Sequence, residues 1–184
     1  MKRYLLGIFI VPLLVAYPAA AAHWNVDYAK SRLGFTVQWS NAPFSAQFKH
    51  WNADIDFDPD DLAHAHVTAS VDLGSETSDE PDFDSGLKGA QGFETSHFPE
   101  AHFVATGFTR KSANGYDAHG TLAIHGIIRE INLPFTLALD GGTAHMTGIA
   151  HVLRTDFGLG QGQWAASDPV AHDVAITIDL FATR

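Results

Sequence analysis

Eleven histidines are the residues of this 184-residue chain most apt for chemistry. The chain has no cysteine, which removes thiolate ligands, thiol nucleophiles and disulfides. His64 and His66 share one face if their segment is a strand, and His145 and His151 share another. Imidazole pairs can hold zinc, copper or nickel, yet no helix is expected to carry a His-x-x-x-His pair. No carboxylate motif stands at matching spacing, and the histidines are scattered from 23 to 172. Solvated surface residues are the simpler reading, and no metal ligand is assigned. Asp54, Asp56 and Asp58 could pair as glycosidase carboxylates, but they alternate with apolar residues and read as the wet face of a strand. Ser31, Ser75 and Ser85 lie near turns, where hydroxyls bond to backbone. No Gly-x-Ser-x-Gly elbow accompanies them, so no catalytic residue and no enzyme are assigned.

The glycines of RTDFGLGQGQW (154–164) raise the question of a phosphate cradle. Such a loop must run from a strand into a helix whose first turn meets the anion. Here the chain continues through Pro169 into VAHDVAITIDLF (170–181), a strand pattern. The glycines are therefore expected to bend the chain between two strands, and no nucleotide or other cofactor is implied.

Period two dominates the rest. LGFTVQWS (33–40), WNADIDFD (51–58), HVTASVDL (66–73), INLPFTLAL (131–139) and 170–181 alternate apolar and polar residues. Weaker strand candidates fall at 24–28, 102–110, 116–124 and 143–153. Asn114-Gly115, Asp140-Gly141-Gly142 and Pro59-Asp60-Asp61 mark turns. Only 77–92 resists a strand, and Leu87 is expected on a short helix there. Eight or nine antiparallel strands with almost no helix give an all-β fold, either a sandwich or a barrel of about eight strands. Alternation alone does not separate a hollow barrel from a filled one.

The N-terminus reads as an export signal. Lys2 and Arg3 precede LLGIFIVPLLVA (5–16), and Pro18 precedes four alanines. The apolar run is shorter than the roughly 20 residues a membrane span needs. Residues 1–22 are thus expected to be a signal peptide cleaved near Ala22–His23. Residues 23–184 would form one domain, periplasmic or secreted, without stable membrane insertion. The formal charge is −10, and removing Lys2 and Arg3 leaves the mature chain near −12. Such a balance disfavours nucleic acid and anionic membrane surfaces.

Five pieces in order carry a family resemblance. Arg154, Asp156, Phe157, Gly158, Gly160 and Trp164 precede the closing strand DVAITIDLFA. WNVDYAKSRLGFTVQW (24–39), Ser75 with Thr77, LKGAQGFETSHFPEAHF (87–103) and GTLAIHGIIREINLPFTL (120–137) complete the set. Together they resemble the YceI-like polyisoprenoid-binding family across the mature chain. Ala46, where that family usually has glycine, and His125 depart from its pattern. The resemblance implies an extended lipocalin-like barrel in the periplasm. It would carry a polyisoprenoid, isoprenoid quinone or fatty amide, without catalysis. Relatives can pair through strands or loops, which leaves a homodimer open. Phe35, Val37, Phe57, Val71, Phe135 and Ile176, on the apolar faces of the clearest strands, are expected to line the chamber. Trp164 is placed as a candidate cap. Arg154 is expected either to pair with Asp156 or to meet a ligand head group. A His-rich metal-binding protein and an uncharacterised hydrolase are the alternative readings.

Overall fold

The computed structural model describes residues 22–78 and 80–184, so all but the last residue of the expected signal peptide lies outside the described residues. In chain order the strands are β1 (His23–Val26), β2 (Arg32–Trp39), β3 (Ala42–Phe48), β4 (Trp51–Asp56), β5 (His66–Asp72) and β6 (Glu76–Thr77). One helix, α1 (Pro81–Lys88), follows, then β7 (Glu100–Arg110), β8 (Gly115–Ile124), β9 (Ile127–Asp140), β10 (Thr143–Leu153) and β11 (Val170–Thr183). Every pairing is antiparallel, and the sheet closes because β1 pairs with both β4 and β11.

Eleven strand segments fill eight positions of the barrel, because three of its staves are each broken once. Both β1 and β2 lie along β11, pairing at Ala182–Thr183 and at Val170–Asp179 respectively. The break between them is tied by Ser31, whose hydroxyl accepts from the Phe181 N–H at 2.9 Å. Segments β3 and β4 continue one another across Lys49 and His50. A 3-10 turn at Leu73–Ser75 separates β5 from β6. Ser75 joins these two breaks: its hydroxyl accepts from the His50 N–H at 3.0 Å and donates to the Asp72 carbonyl at 2.6 Å. The serines thus satisfy backbone groups that the interrupted ladders would leave unpaired.

Two tight hairpins fix the register of neighbouring staves. Ser40 and Asn41 (φ 49° and 66°) join β2 to β3, and His125 and Gly126 (φ 54° and 72°) join β8 to β9. Two successive positive φ angles match the right-handed twist of the strands they connect. Ser40–Asn41 is not among the turn signals of the sequence, whereas His125–Gly126 falls in the 120–137 piece that resembles a family hairpin; β3 and the first residues of β9 are additional to the expected strands.

The interior divides in two. One end is filled by Trp24, Phe57, Tyr116, Leu133, Phe135 and Leu180 with their neighbours. The Phe57 ring lies 5.3 Å from Phe108, 5.5 Å from Tyr116 and 5.9 Å from Phe135, mostly edge to face. Such pairs add about 0.5–1.5 kcal/mol each beyond area burial. Trp24 completes the plug and donates its indole N–H to the Phe57 carbonyl at 2.9 Å. The other end is lined rather than filled.

Candidate functional site

That second end encloses a cavity of about 560 Å³, within the usual range for a small-molecule pocket. Its wall is built from the inward residues of the staves: Phe35 and Val37 on β2, Val71 on β5, Ile176 on β11. Helix α1 contributes Phe83 and Leu87, and the 158–166 loop contributes Leu159 and Trp164. Among the charged groups of the described residues, Asp82 and Arg154 alone belong to this lining. The space can therefore take hydrocarbon without desolvating a counter-charge.

Aromatic contacts knit the helix and the loop to the barrel. The Phe83 ring meets Trp39 edge to face at 4.6 Å and lies 5.0 Å from Phe44. Trp164 also packs on Trp39, its ring 5.1 Å away and tilted. The expected short helix thus acts as a wall over the chamber. It lies where β6, only two residues long, leaves the sheet before β7 begins.

Arg154 is 7 % exposed, and its guanidinium donates to the carbonyls of Leu159, Gly160, Trp164, Ala166, Val170 and Ala171 at 2.6–3.2 Å. Those contacts go to backbone rather than to Asp156, and they leave the guanidinium committed to its own loop. Burial, with no carboxylate beside it, holds its pKa below the ordinary value. The glycine run follows from this arrangement. Gly158, Gly160 and Gly162 all have positive φ (68°, 72° and 63°), and a Cβ on Gly160 would overlap the guanidinium. The loop wraps the arginine, and its glycines are required by backbone conformation and close approach.

Of the residues expected from sequence to line the chamber, Phe35, Val37, Val71, Ile176, Trp164 and Arg154 lie on its wall. Phe57 and Phe135 do not reach it: both sit in the aromatic plug at the other end. Alternation gives the face of a strand a side chain occupies, but not its height along the barrel axis. Three of the four histidines considered as pairs are engaged singly: His64 bonds Asp61 at 2.8 Å, His145 bonds Asp179 at 2.6 Å, and His151 bonds Asp173 at 2.9 Å.

A family model described as "YceI-like domain" matches residues 24–182. The chain belongs to the YceI-like family. A UPF0312 protein of Shewanella baltica strain OS185 is 24% identical over 186 residues, covering 96% of this chain and 97% of that one. A UPF0312 protein of Photorhabdus laumondii is 26% identical over 145 residues, covering 77% of this chain and 75% of that one. Among solved structures, BcnA of Burkholderia cenocepacia superposes with a TM-score of 0.84 at 29% identity, over 86% of this chain and 100% of that one. A polyisoprenoid binding domain from Saccharophagus degradans, implicated in plant cell wall breakdown, superposes at 0.67 with 16% identity, over 90% and 99%.

Phe48, Leu73, Phe83, Phe93 and Ala101 also line the chamber of this YceI-like protein. Phe48 and Phe83 were hidden because β3 has no clean alternation and because α1 is short and rich in acidic residues. The run Phe83-x-x-x-Leu87 was the available signal, since residues four apart share a helix face.

Proposed function

We propose that this YceI-like protein is an exported carrier that holds one long apolar or amphiphilic molecule of the polyisoprenoid type in the lined half of its barrel, without catalysis. The carrying observation is the 560 Å³ chamber whose wall is almost wholly hydrocarbon. Transfer of a chain from water into such a space yields about 0.8 kcal/mol per methylene, so affinity needs no charged anchor. The polyisoprenoid binding domain of similar fold and the family membership support this ligand class. A head group would rest near Asp82 and Trp164 at the α1 end, because Arg154 is engaged by its own loop.

Export rests on the leader pattern of residues 1–22, with cleavage after Ala22 and delivery to the periplasm. Solvent extraction of the protein purified from that compartment, followed by mass spectrometry, tests the whole reading. A prenyl or acyl lipid in near-stoichiometric yield is the expected result. A chamber that returns only water and binds no added prenyl lipid overturns it.

A further inference from the structure

Cleavage after Ala22 would make His23 the first residue of the mature protein, and the structure shows what stands beside it. In the ladder between β1 and β4, His23 is the register partner of Asp56. Asp54 lies two residues away on the same outward face. The His23 Nδ1 atom is 3.0 Å from Asp56 Oδ1 and 3.6 Å from Asp54 Oδ1, and one donor atom from each of the three residues falls within 4.8 Å of the others. For metal–ligand bonds of about 2.1 Å, donors around one ion lie roughly 3–4 Å apart, so small rotamer changes would close this set. On the far side of Asp56, β5 places His66 in register, putting a second imidazole on the same face.

Nδ1 is the imidazole nitrogen that matters at a chain terminus. A free α-amine and the Nδ1 of the same histidine can close one chelate ring through Cα, Cβ and Cγ. Cleavage would also release the bond from the Phe57 N–H to the Ala22 carbonyl (2.9 Å). That loosens the amine end of residue 23 from β4. Two nitrogens and two carboxylate oxygens form a donor set suited to tetragonal copper(II), which also leads the divalent series in affinity.

We propose that the mature protein binds one copper(II) ion on the outer wall of the plugged end, through the α-amine and Nδ1 of His23 with Asp54 and Asp56. The inference rests on the export reading above, but not on the lipid. None of its residues belongs to the chamber lining. The histidine pairs of the sequence do not point to it, because its donors come from positions about thirty apart that the pairing of β1 with β4 brings together.

The test begins with the intact mass of protein exported with its own leader, which should correspond to a chain starting at His23. A start elsewhere overturns the proposal. Calorimetric titration of that protein with copper(II) should show one site, tighter than for zinc, and the copper spectrum should carry nitrogen hyperfine coupling. The double variant D54N/D56N should bind copper roughly tenfold more weakly or worse, about 1.4 kcal/mol per decade. A chain with one alanine added before His23 should lose affinity comparably. Unchanged copper affinity in both would leave only scattered histidine binding and would overturn the site. Lipid recovered by solvent extraction should be the same in D54N/D56N as in the parent. Lipid absent from all of these proteins, with copper binding intact, would count against the carrier reading alone.

Discussion

At the scale of single residues, two of the buried ionisable side chains, Arg154 and Glu76, bear on stability in opposite ways. Arg154 satisfies six backbone carbonyls, and a lysine ammonium cannot span that fork. Replacing Arg154 with Lys should therefore lower unfolding free energy by about 2–4 kcal/mol, read as a lower urea midpoint with unchanged m-value. Glu76 is 1 % exposed, and neither carboxylate oxygen has a hydrogen-bond partner among the described residues. Burial first, then the Asp84 charge, raises its pKa from 4.5 to about 7, with Lys88 acting in the opposite direction. A carboxyl whose folded pKa is raised favours folding while it is protonated. Stability should be fullest below about pH 4.5 and decline as pH rises through about 7. Glu76→Gln should remove that decline, gaining roughly 1–3 kcal/mol at pH 8 and little at pH 4. Denaturation at the two pH values checks it, and an equal effect at both would show that Glu76 is not neutral in the fold. Residue identity was partly legible beforehand. The aromatic faces of Phe35 and Phe135 read alike in sequence, yet one lines the chamber and the other fills the plug.

At the scale of elements, the sequence announced most strands through alternation, and it announced the helix through the failure of alternation at 77–92. It did not announce the breaks. A stave that stops and resumes looks like two strands, and only the shared neighbour β11 shows that β1 and β2 are one. The glycine loop was legible as a bend, but its purpose was not, because the contacts that require it come from one side chain folding back. Gly160→Ala should destabilise by about 1–3 kcal/mol, through positive φ and encroachment on Arg154; an unchanged melting temperature would count against that account. Helix α1 forms part of the chamber wall with none of its residues fully buried. The double variant Phe83→Ala/Leu87→Ala should speed release of a fluorescent prenyl lipid by roughly tenfold or more, since each lost apolar contact removes about 1.5 kcal/mol or more. Stopped-flow dilution would read it.

At the scale of the whole molecule, the barrel carries two unlike halves, one solid and one hollow. Periodicity marked which residues face inward along the entire length, and the family resemblance supplied the expectation of a ligand. The division of the interior follows from the sizes of side chains at each height, which no single strand encodes. Enlarging a residue in each half should separate their roles. Phe35→Trp should lower the prenyl lipid bound per protein, whereas Phe135→Trp should leave that amount unchanged while costing about 1–3 kcal/mol of stability through overpacking. Equal loss of lipid in both would mean that a bound chain penetrates the plug.

The aromatic plug also dictates traffic. With Trp24, Phe57 and Tyr116 stopping one end, a passenger would have no through-route. It would have to slide in tail first beneath α1 and back out along the same track. On the carrier reading proposed above, a membrane or enzyme taking delivery would dock at the rim that admitted the cargo.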